Sequence, residues 1–508
     1  MIYNKYGTTE KMVSLLGFGS NRFNENDLID DDGLWRCAML VRYANELGIN
    51  YFDIAPAYAK GKAHQIFAYA FQDMKNKYFI SDKSTVLNDK TSDDVYRRIN
   101  NSIQKMNVPK IHFFNMWSIM NMEHYKTIIE KGGPLDGALR ARKEGLIDHI
   151  VCSSHADTSV NLEMINDGFF EGITISLNVM TYISLQNVIV SAMEKKVAVI
   201  SMNPLGGGVI VSNPDSFNYI KQSNNESLAA AALRFVASIP GVTIVLSGMS
   251  SRQEIDSNIL SLNEKSMFHD RYLNVNNTFN LGKPFVCTGC TYCSECPSGI
   301  PIPSYMKAYN SVFFPAVEYL GRKIYYENED QNKCYKIFQH LKQHYGIIPS
   351  VSVNMCIKCK QCEQRCTQNL PIINRLEEIN KLSYDYGYSI DHLLRYTKEL
   401  IEQTKIGHVG LYPAGAYSSS FFNLCASLFR EKGIMPHVFD KEPAKWGEKF
   451  NSLIIQQPDE IITSVDILII LHHLYQDEIY NELRHFENDG IKVLKLHTKN
   501  DIMWLINA

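Results

Sequence analysis

The sequence lacks the features of several protein classes. No apolar run reaches the ~18 residues that a membrane-spanning helix needs, and residues 1–12 lack the apolar stretch of a signal peptide. Lysine and arginine total 51 against 54 aspartates and glutamates, so no excess of positive charge indicates nucleic-acid binding. Charged residues make up 21% of the chain, which disfavours a disordered protein. We therefore expect a cytoplasmic protein that binds neither nucleic acid nor membranes.

Apolar runs alternate with amphipathic stretches over residues 1–265. At ~150 residues per domain the 508 residues predict about three domains, and this region is the first. The alternation predicts a parallel sheet covered by helices on both faces. Eight such units in this length predict a (β/α)8 TIM barrel, and an open doubly wound sheet is the alternative. The runs are residues 13–19, 49–55, 77–83, 110–117, 149–154, 173–179, 197–203 and 242–248.

The rest of the chain has two different patterns. Residues 266–400 hold two cysteine clusters, separated by a tyrosine-rich stretch over 305–349 that is predicted to be helical. Residues 405–508 return to an α/β pattern, which predicts a small Rossmann-like domain. Its helices are predicted to end at about Lys432 and to lie near 476–487. Its predicted strands are residues 408–412, 437–440, 466–471 and 493–496.

Three polar residues fall where the strands of such a barrel end, which is where barrel enzymes carry their chemistry. Asp53 and Tyr58 follow the second predicted strand, and Lys83 ends the third. A phenol is a poor acid at neutral pH, but a nearby ammonium lowers its pKa, and a carboxylate would hold that ammonium in place. The trio is suited to protonating a carbonyl oxygen. Alternatively, Asp53 and Lys83 form an ordinary ion pair and Tyr58 is a packing aromatic.

Five segments resemble the aldo-keto reductases in the right order, over about residues 10–263: LGFGSNRF, GINYFDIAPAYAKGKAHQIFAYAF, YFISDKS, SMNPLGGG and LRFVASIPGVTIVLSGMSSRQEIDSN. The resemblance implies an NAD(P)H-dependent enzyme acting on a small-molecule carbonyl or sugar-derived substrate. It implies that Asp53, Tyr58 and Lys83 are catalytic, with the tyrosine as proton donor. The implied cofactor-binding residues are Asn178, Pro204, Leu205, Gly206, Gly248, Ser250, Arg252, Glu254 and Asn258.

The sequence departs from this family at three positions. Trp117 stands where the family has a catalytic histidine, and an indole can donate a hydrogen bond but cannot accept one or titrate. His155, one strand further on, is a candidate to replace it. His64 stands where the family usually has an acidic residue, and it is predicted to alter the rim of the site. Glu254 would repel a 2′-phosphate, so NADH is favoured over NADPH, although Arg252 could offset this.

The two cysteine clusters have the spacing of iron–sulfur ligands, in which thiolates two residues apart wrap one cluster. Zinc is the alternative, but zinc sites usually pair two C-x-x-C units across a loop. The second cluster keeps the bacterial ferredoxin spacing, although Thr367 replaces the usual proline. The first cluster comprises Cys287, Cys290, Cys293 and Cys296, and the second Cys356, Cys359, Cys362 and Cys366. The other four cysteines are predicted to be buried: Cys37, Cys152, Cys334 and Cys425.

CTGCTYCSECPSGIPIP and CIKCKQCEQRCTQNLPI resemble a subgroup of aldo-keto reductase-like proteins with a C-terminal 4Fe-4S ferredoxin-type domain. This extends the resemblance to about residues 10–380 and implies two 4Fe-4S clusters in a mainly helical domain over 266–400. By the ferredoxin pattern, Cys287, Cys290 and Cys293 would share one cluster with Cys366. Cys356, Cys359 and Cys362 would share the other with Cys296.

The residues leave several functions open. A hydride carries two electrons and an iron–sulfur cluster carries one, and no flavin motif is found to mediate between them. The favoured hypothesis is an iron–sulfur oxidoreductase that serves a one-electron carrier protein. The rivals are a reductase-inactive scaffold in surface-polysaccharide biosynthesis with structural clusters, and a pure electron-transfer module.

The C-terminal region carries only a weak ligand signal. Gly415 is the one glycine of an incomplete G-x-G-x-x-G pattern, and Asp440 ends the next predicted strand, where a ribose-binding acid would lie. Residues 421–461 resemble small Rossmann-like domains attached to enzymes of cell-surface polysaccharide assembly. A packing or dimerisation module is the alternative.

Overall fold

The chain forms two compact units, the first spanning Met1–Tyr292 with Gln364–Leu370 and the second spanning Cys293–Glu363 with Pro371–Ala508. The boundaries of the three predicted domains, 1–265, 266–400 and 405–508, stay a prediction. Cys334 and most of the stretch 305–349 lie outside the described residues. The computed structural model describes residues 1–85, 88–262, 286–314, 353–385, 407–471 and 476–495, with isolated positions between 330 and 341.

The first unit contains a closed barrel of eight parallel strands. Each strand lies within or overlaps one of the eight apolar runs, so the barrel prediction is confirmed and the open sheet is wrong. An antiparallel pair, β1 (Tyr3–Lys5) and β2 (Met12–Ser14), precedes it. The barrel strands are β3 (Leu16–Gly19), β4 (Tyr51–Asp53), β5 (Phe79–Thr85), β6 (Ile111–Ile119), β7 (Ile147–Ser154), β8 (Gly172–Ser176), β9 (Ala198–Met202) and β10 (Val242–Gly248).

Helices cover the outside of the barrel, and local capping residues fix where several of them begin. The Asp30 side chain accepts a hydrogen bond from the backbone N–H of Gly33, and Thr91 forms a reciprocal capping box with Asp94. Within the described ranges, no helix combines the length and the apolar character that a bilayer crossing requires. The helices are α1 (Asp31–Glu46), α2 (Tyr58–Gly61), α3 (Ala63–Phe71), α4 (Ser92–Met106), α5 (Met122–Ile129), α6 (Pro134–Lys143), α7 (Thr158–Asp167), α8 (Tyr182–Glu194), α9 (Val209–Ser212), α10 (Pro214–Phe217), α11 (Leu228–Ser238) and α12 (Arg252–Ser261).

Aromatic side chains fill the amino-terminal half of the barrel. The rings of Tyr6 and Phe113 stack with centroids 4.1 Å apart, and Tyr51 lies 5.5 Å from Phe113. These rings and Phe79 are almost fully buried. Because they pack this end, the open part of the barrel lies at the carboxyl ends of the strands, as is usual for barrel enzymes. The remaining buried members of this core are Val13, Val151, Ala198, Ile200, Ile244 and Leu246.

The second unit contains a six-stranded sheet in the order β13-β14-β12-β11-β15-β16. All neighbours are parallel except β13 and β14. The four predicted strands are present, whereas the short β13 and β14 were not predicted. The strands are β11 (His408–Tyr412), β12 (Met435–Phe439), β13 (Lys449–Phe450), β14 (Leu453–Gln456), β15 (Ile467–Ile470) and β16 (Lys492–Lys495). The helices are α13 (Ile302–Tyr309), α14 (Gln361–Gln364), α15 (Ile372–Asp385), α16 (Ala416–Lys432), α17 (Ile461–Ser464) and α18 (Gln476–Leu483).

Apolar residues cover both faces of this sheet. Leu411 and Ile469 pack with Phe421 and Phe429 of α16 on one face. The adjacent strand residues, including Leu468, pack on the other face in a cluster with residues of α17 and α18. Because β11 pairs with β12 on one side and β15 on the other, the strand order reverses beside β11. This is the position where open α/β sheets bind ligands.

The three described cysteines outside the two clusters are buried. Cys37, Cys152 and Cys425 each expose less than a twentieth of their surface, as predicted. Burial raises the pKa of Cys37 to about 12, so its thiol is neutral at physiological pH. No disulfide bond joins any of the described cysteines.

Candidate active site

A cleft of about 400 Å³ opens at the carboxyl ends of the barrel strands. Its size suits a small molecule. It is lined by residues after β3, β4, β7 and β9, by residues at the ends of β6 and β10, and by segments of both cysteine motifs. The lining residues are Gly19, Asn21, Arg22, Asp53, Tyr58, Trp117, His155, Met202, Asn203, Pro204, Leu205, Gly207, Gly208, Leu246, Ser247, Gly248, Ser250, Glu254, Thr288, Cys290, Tyr292 and Thr367.

Asp53 and Lys83 form a buried ion pair at the base of this cleft. Their exposed fractions are 6% and 3%. Ser81 donates a hydrogen bond to Asp53 over 3.5 Å, and Asn115 donates one to Ser81 over 2.8 Å. Burial raises the pKa of Asp53, and the adjacent Lys83 ammonium opposes that shift. The predicted contact is present, and both the catalytic and the structural interpretation require it.

Tyr58 begins α2 and lies beside this ion pair. The next residues, Ala59 and Lys60, have φ angles of 51° and 54°, a tight left-handed turn after the tyrosine. The Lys83 Nζ lies 5.3 Å from the centre of the Tyr58 ring. Burial, followed by the Asp53 charge, raises the pKa of Tyr58 well above its usual value. The predicted lowering by Lys83 is therefore wrong, because burial of the hydroxyl dominates the shift. The phenol stays protonated at neutral pH and is able to donate a proton.

Trp117 reaches the cleft from an irregular part of β6. The pairing of β6 with β7 shifts between Met116 and Ile119, and Ser118 has a φ of 64°. Such a bulge redirects side chains at the end of a strand. The Trp117 ring meets the Tyr58 ring edge to face, with centroids 5.8 Å apart at 88°. It meets Tyr292 in the same way, at 6.1 Å and 83°. The three rings form one aromatic wall.

His155 follows β7 and lines the same cleft. Its backbone N–H donates to the Ile119 carbonyl over 2.8 Å, and its buried Nδ1 has no hydrogen-bond partner among the described residues. Burial lowers the pKa of His155 to about 4, so its imidazole is neutral at physiological pH. The structure thus brings His155 into the same cleft as Tyr58 and Trp117, as its predicted substitute role requires.

Five of the nine predicted cofactor residues line the cleft, namely Pro204, Leu205, Gly248, Ser250 and Glu254. The other four do not. Asn178 and Asn258 each donate a hydrogen bond to a residue that lines the cleft. Asn178 donates to the Asn203 carbonyl over 3.1 Å, and Asn258 donates to the Ser247 hydroxyl over 3.1 Å. Gly206 belongs to the loop after β9 and adopts a φ of 59°.

The charges at the Glu254 end of the cleft differ from the prediction in one respect. Glu254 accepts hydrogen bonds from the Ser250 backbone over 2.6 Å and from its hydroxyl over 3.0 Å. Arg252 lies over the Tyr43 ring at 4.7 Å and does not line the cleft. The cation that lines it is Arg22, which the sequence did not single out because nothing in its spacing marks it.

His64 lies below the site and not at its rim, so that prediction is wrong. The His64 Nε2 lies 3.1 Å from an oxygen of Asp82, and the exposed fractions of the two residues are 5% and 0%. This partner lowers the pKa of Asp82 despite its burial. The imidazole is a hydrogen-bond partner for a carboxylate that adjoins Lys83 in the chain, and the family pattern does not predict this contact.

The cysteines lie in two groups. In the first unit, backbone N–H groups donate to the sulfurs of Cys287 and Cys366, each over 3.4 Å, and Thr367 donates to the Cys290 sulfur over 3.5 Å. In the second unit, four cysteines line one cavity: Cys296, Cys356, Cys359 and Cys362. The thiol donor set and the N–H···S contacts fit iron–sulfur ligation in kind. In the part of the chain that the structure describes, however, no group of three or more His, Cys, Asp or Glu side chains is arranged to hold a metal ion.

The predicted ligand residues of the C-terminal sheet have local partners. Gly415 immediately precedes α16 and carries no side-chain cap. Asp440 follows β12 as predicted, but Lys445 pairs with one carboxylate oxygen over 3.1 Å and the Glu442 N–H donates to the other over 2.9 Å. Both oxygens are therefore engaged within the chain.

Comparison with known proteins gives one family match. The model of the aldo/keto reductase family matches residues 15–270. No curated protein sequence matches the chain at a significant level.

Several solved structures match about half of this chain. A thermostable aldo-keto reductase solved with the inhibitor epalrestat is 16% identical, with 55% of this chain and 99% of that chain covered and a TM-score of 0.47. The holo form of an aldo-keto reductase from Bacillus halodurans is 17% identical, with 55% and 96% covered and a TM-score of 0.46. An aldo/keto reductase from Klebsiella pneumoniae in complex with NADP and acetate is 14% identical, with 53% and 92% covered and a TM-score of 0.44.

Proposed function

The chain belongs to the aldo/keto reductase family, and we propose that it is an NAD(P)H-linked oxidoreductase that interconverts a small carbonyl compound and its alcohol in the barrel cleft. One observation carries this proposal. A protonated phenol, a buried ion pair and most of the predicted nucleotide-binding loop residues meet around one cleft of small-molecule size.

The residues of the cleft divide the chemistry among them. When bound, NAD(P)H supplies the reducing equivalent at the carbonyl carbon. Tyr58, which is protonated at neutral pH, donates its proton to the carbonyl oxygen, although its raised pKa makes it a weaker acid than an exposed tyrosine. Asp53 and Lys83 form the ion pair that packs against its ring. The indole N–H of Trp117 and the neutral imidazole of His155 are hydrogen-bond donors available to the same oxygen.

The test of this proposal is turnover by the full chain, purified without oxygen. We expect oxidation of NADH or NADPH when aldehydes, ketones and open-chain sugars are supplied as acceptors, followed at 340 nm. Micromolar nucleotide binding would count against the reductase-inactive scaffold. Failure of either nucleotide to bind the iron-loaded chain would contradict the proposal and support the scaffold.

Glu254 supports a preference for NADH. Its carboxylate lines the cleft, and the predicted counter-charge, Arg252, is turned to Tyr43. Replacing Glu254 by glutamine should tighten NADPH binding by about fivefold, the value of about 1 kcal/mol for an exposed charge pair. Fluorescence titration measures this, with NADH as the internal control. Equal changes for both nucleotides would show that Glu254 does not sense the 2′-phosphate.

The proposal extends to two 4Fe-4S clusters in a ferredoxin-type domain over 266–400, which exchange single electrons with a carrier protein. The all-thiol donor sets and the N–H···S contacts support it. Cys287, Cys290, Cys293 and Cys366 would hold one cluster, and the remaining four would hold the other. A cytoplasmic location fits these oxygen-sensitive groups and the lack of disulfide bonds among the described cysteines.

Iron analysis tests the clusters directly. Full-length protein purified without oxygen should contain about eight iron atoms per chain, two clusters of four. Cys359→Ser should reduce this to about four, because one serine removes a ligand of only one set. The surface residue Lys75, replaced by serine, is the matched control. Zinc in place of iron would contradict the proposal.

The Rossmann-like assignment of residues 405–508 is also a proposal. The reversal of strand order beside β11 and the helices on both faces support it. Because Asp440 is already paired with Lys445, the alternative of a packing or dimerisation module is favoured over nucleotide binding.

A further inference from the structure

Both cysteine motifs contribute side chains to the wall of the barrel cleft. Thr288, Cys290 and Tyr292 belong to the first motif, and Thr367 follows the last cysteine of the second. All four residues lie in the first compact unit together with the barrel. Their neighbours Cys287 and Cys366 each accept a backbone N–H at sulfur. The wall of the cleft and three thiols therefore share two short segments, 287–292 and 366–369.

The first segment packs against the loop after β9. Gly207 has a φ of 68°, and a Cβ atom at this position would lie 2.0 Å from the Thr288 carbonyl oxygen. Only glycine allows this approach. The loop is the one that carries Pro204 and Leu205, two of the predicted nucleotide-binding residues. Displacement of Thr288 would therefore remove the packing surface of that loop.

The same segments contact the loops at β6 and β7. Tyr292 packs on Trp117, which packs on Tyr58. Asn369 donates a hydrogen bond over 3.1 Å to the carbonyl oxygen of His155. Thr367 donates to the Cys290 sulfur, which joins the two segments to each other. A residue within three positions of a cysteine therefore contacts each of three features: the loop after β7, the loop after β9 and the bulge of β6.

We propose that loading with a metal centre draws Cys287, Cys290 and Cys366 into a ligating arrangement that they lack in this structure. Ligation would then order the wall of the barrel cleft and tighten nucleotide and substrate binding. Metal binding to thiolates fixes the segments that carry them, and the resulting free energy is shared with whatever those segments hold in place. By reciprocity, a ligand in the cleft stabilises the loaded thiol site. The nucleotide part of this inference rests on the proposed function, whereas the ordering of the loops does not.

Hydrogen exchange of the full chain tests the ordering without any assay of turnover. The chain is compared after chelator treatment and after anaerobic reconstitution with ferrous iron and sulfide. We expect exchange of the amides in residues 203–208 and 116–119 to slow at least tenfold on loading. Cys290→Ser should abolish this response, whereas Cys359→Ser, in the other thiol group, should retain it. Tyr292→Ala keeps every thiol and should lose the response at 116–119 alone.

Nucleotide titration of the same samples measures the coupling. Loading should tighten NADH binding by about fivefold or more, the lower end of usual coupling between sites. Equal exchange in loaded and stripped protein, failure of the first thiol group to load, or equal effects of the two serine variants would each overturn the inference. Slowed exchange without nucleotide binding in either state would leave the inference standing and contradict the proposed function instead.

Discussion

Replacing Tyr58 by phenylalanine should lower kcat for carbonyl reduction by about 10²- to 10⁴-fold, the usual contribution of one positioned general acid. The ring is held edge to face against Trp117, and phenylalanine keeps that contact, so the change removes the hydroxyl alone. Steady-state kinetics on the best acceptor from the carbonyl screen measures the effect. The melting temperature and the Kd for nucleotide are the controls, and both should stay near the wild-type values.

The raised pKa of Tyr58 makes a prediction for the pH profile, and turnover of the variant separates the catalytic role from a packing role. Because burial raises the pKa of Tyr58 well above its usual value, the phenol stays protonated across the neutral range. The reduction rate of the wild type should therefore show no alkaline decline below about pH 9 that arises from this group, given an ordinary tyrosine pKa of about 10. Unchanged turnover in Tyr58→Phe would assign Tyr58 to packing and leave Asp53 and Lys83 as an ordinary ion pair.

Replacing Lys83 by methionine should destabilise the barrel by about 3–5 kcal/mol, the usual cost of removing one partner of a buried ion pair. The Asp53 carboxylate, only 6% exposed, would lose the ammonium that offsets its burial. Denaturant unfolding followed by circular dichroism measures the change. The loss should shrink as the pH falls, because the raised pKa of the unpaired Asp53 lets it fold as a neutral acid.

The double variant Asp53→Asn with Lys83→Met is the control for this prediction. It removes both charges, so it should recover most of the stability lost in the single variant. A double variant as unstable as Lys83→Met would mean that packing of the lysine stem, and not the unpaired carboxylate, causes the loss. Both variants are expected to be poor catalysts, so stability and activity must be measured on the same preparations.

The barrel could be predicted because its strands are buried on both faces. Such strands have continuous apolar sequences, and eight of them at regular spacing leave few alternative folds. The same signal predicted that Asp53 and Lys83 lie near the carboxyl ends of their strands: Asp53 is the last residue of β4, and Lys83 lies two residues before the end of β5. In the C-terminal sheet, β11 and β15 gave the same signal. The edge strands β13 and β14, with only two and four residues, are too short and too exposed to give a pattern.

The remaining features of the site depend on contacts between distant parts of the chain. Trp117 is directed by a bulge at Ser118, which adopts a positive φ without being glycine, so the sequence gives no signal for it. Tyr292 reaches the cleft from a motif whose cysteine spacing predicts a metal site and gives no signal for a contact with the barrel. The pKa of Tyr58 is set first by the burial of its hydroxyl, which spacing along the chain does not give.

The buried pair of His64 and Asp82 has a consequence for how this sequence can change by mutation. Loss of the imidazole alone would leave a carboxylate with no exposed surface, and loss of the carboxylate alone would leave a buried imidazole without its partner. Neither residue can be replaced alone by a side chain that forms no hydrogen bond. A path between this pair and an uncharged pair must pass through an intermediate that is neutral and still hydrogen-bonded, such as Asp82→Asn. Natural variants of this barrel should therefore either exchange the two residues together or keep a hydrogen-bonding side chain at the altered position, as in Asp82→Asn.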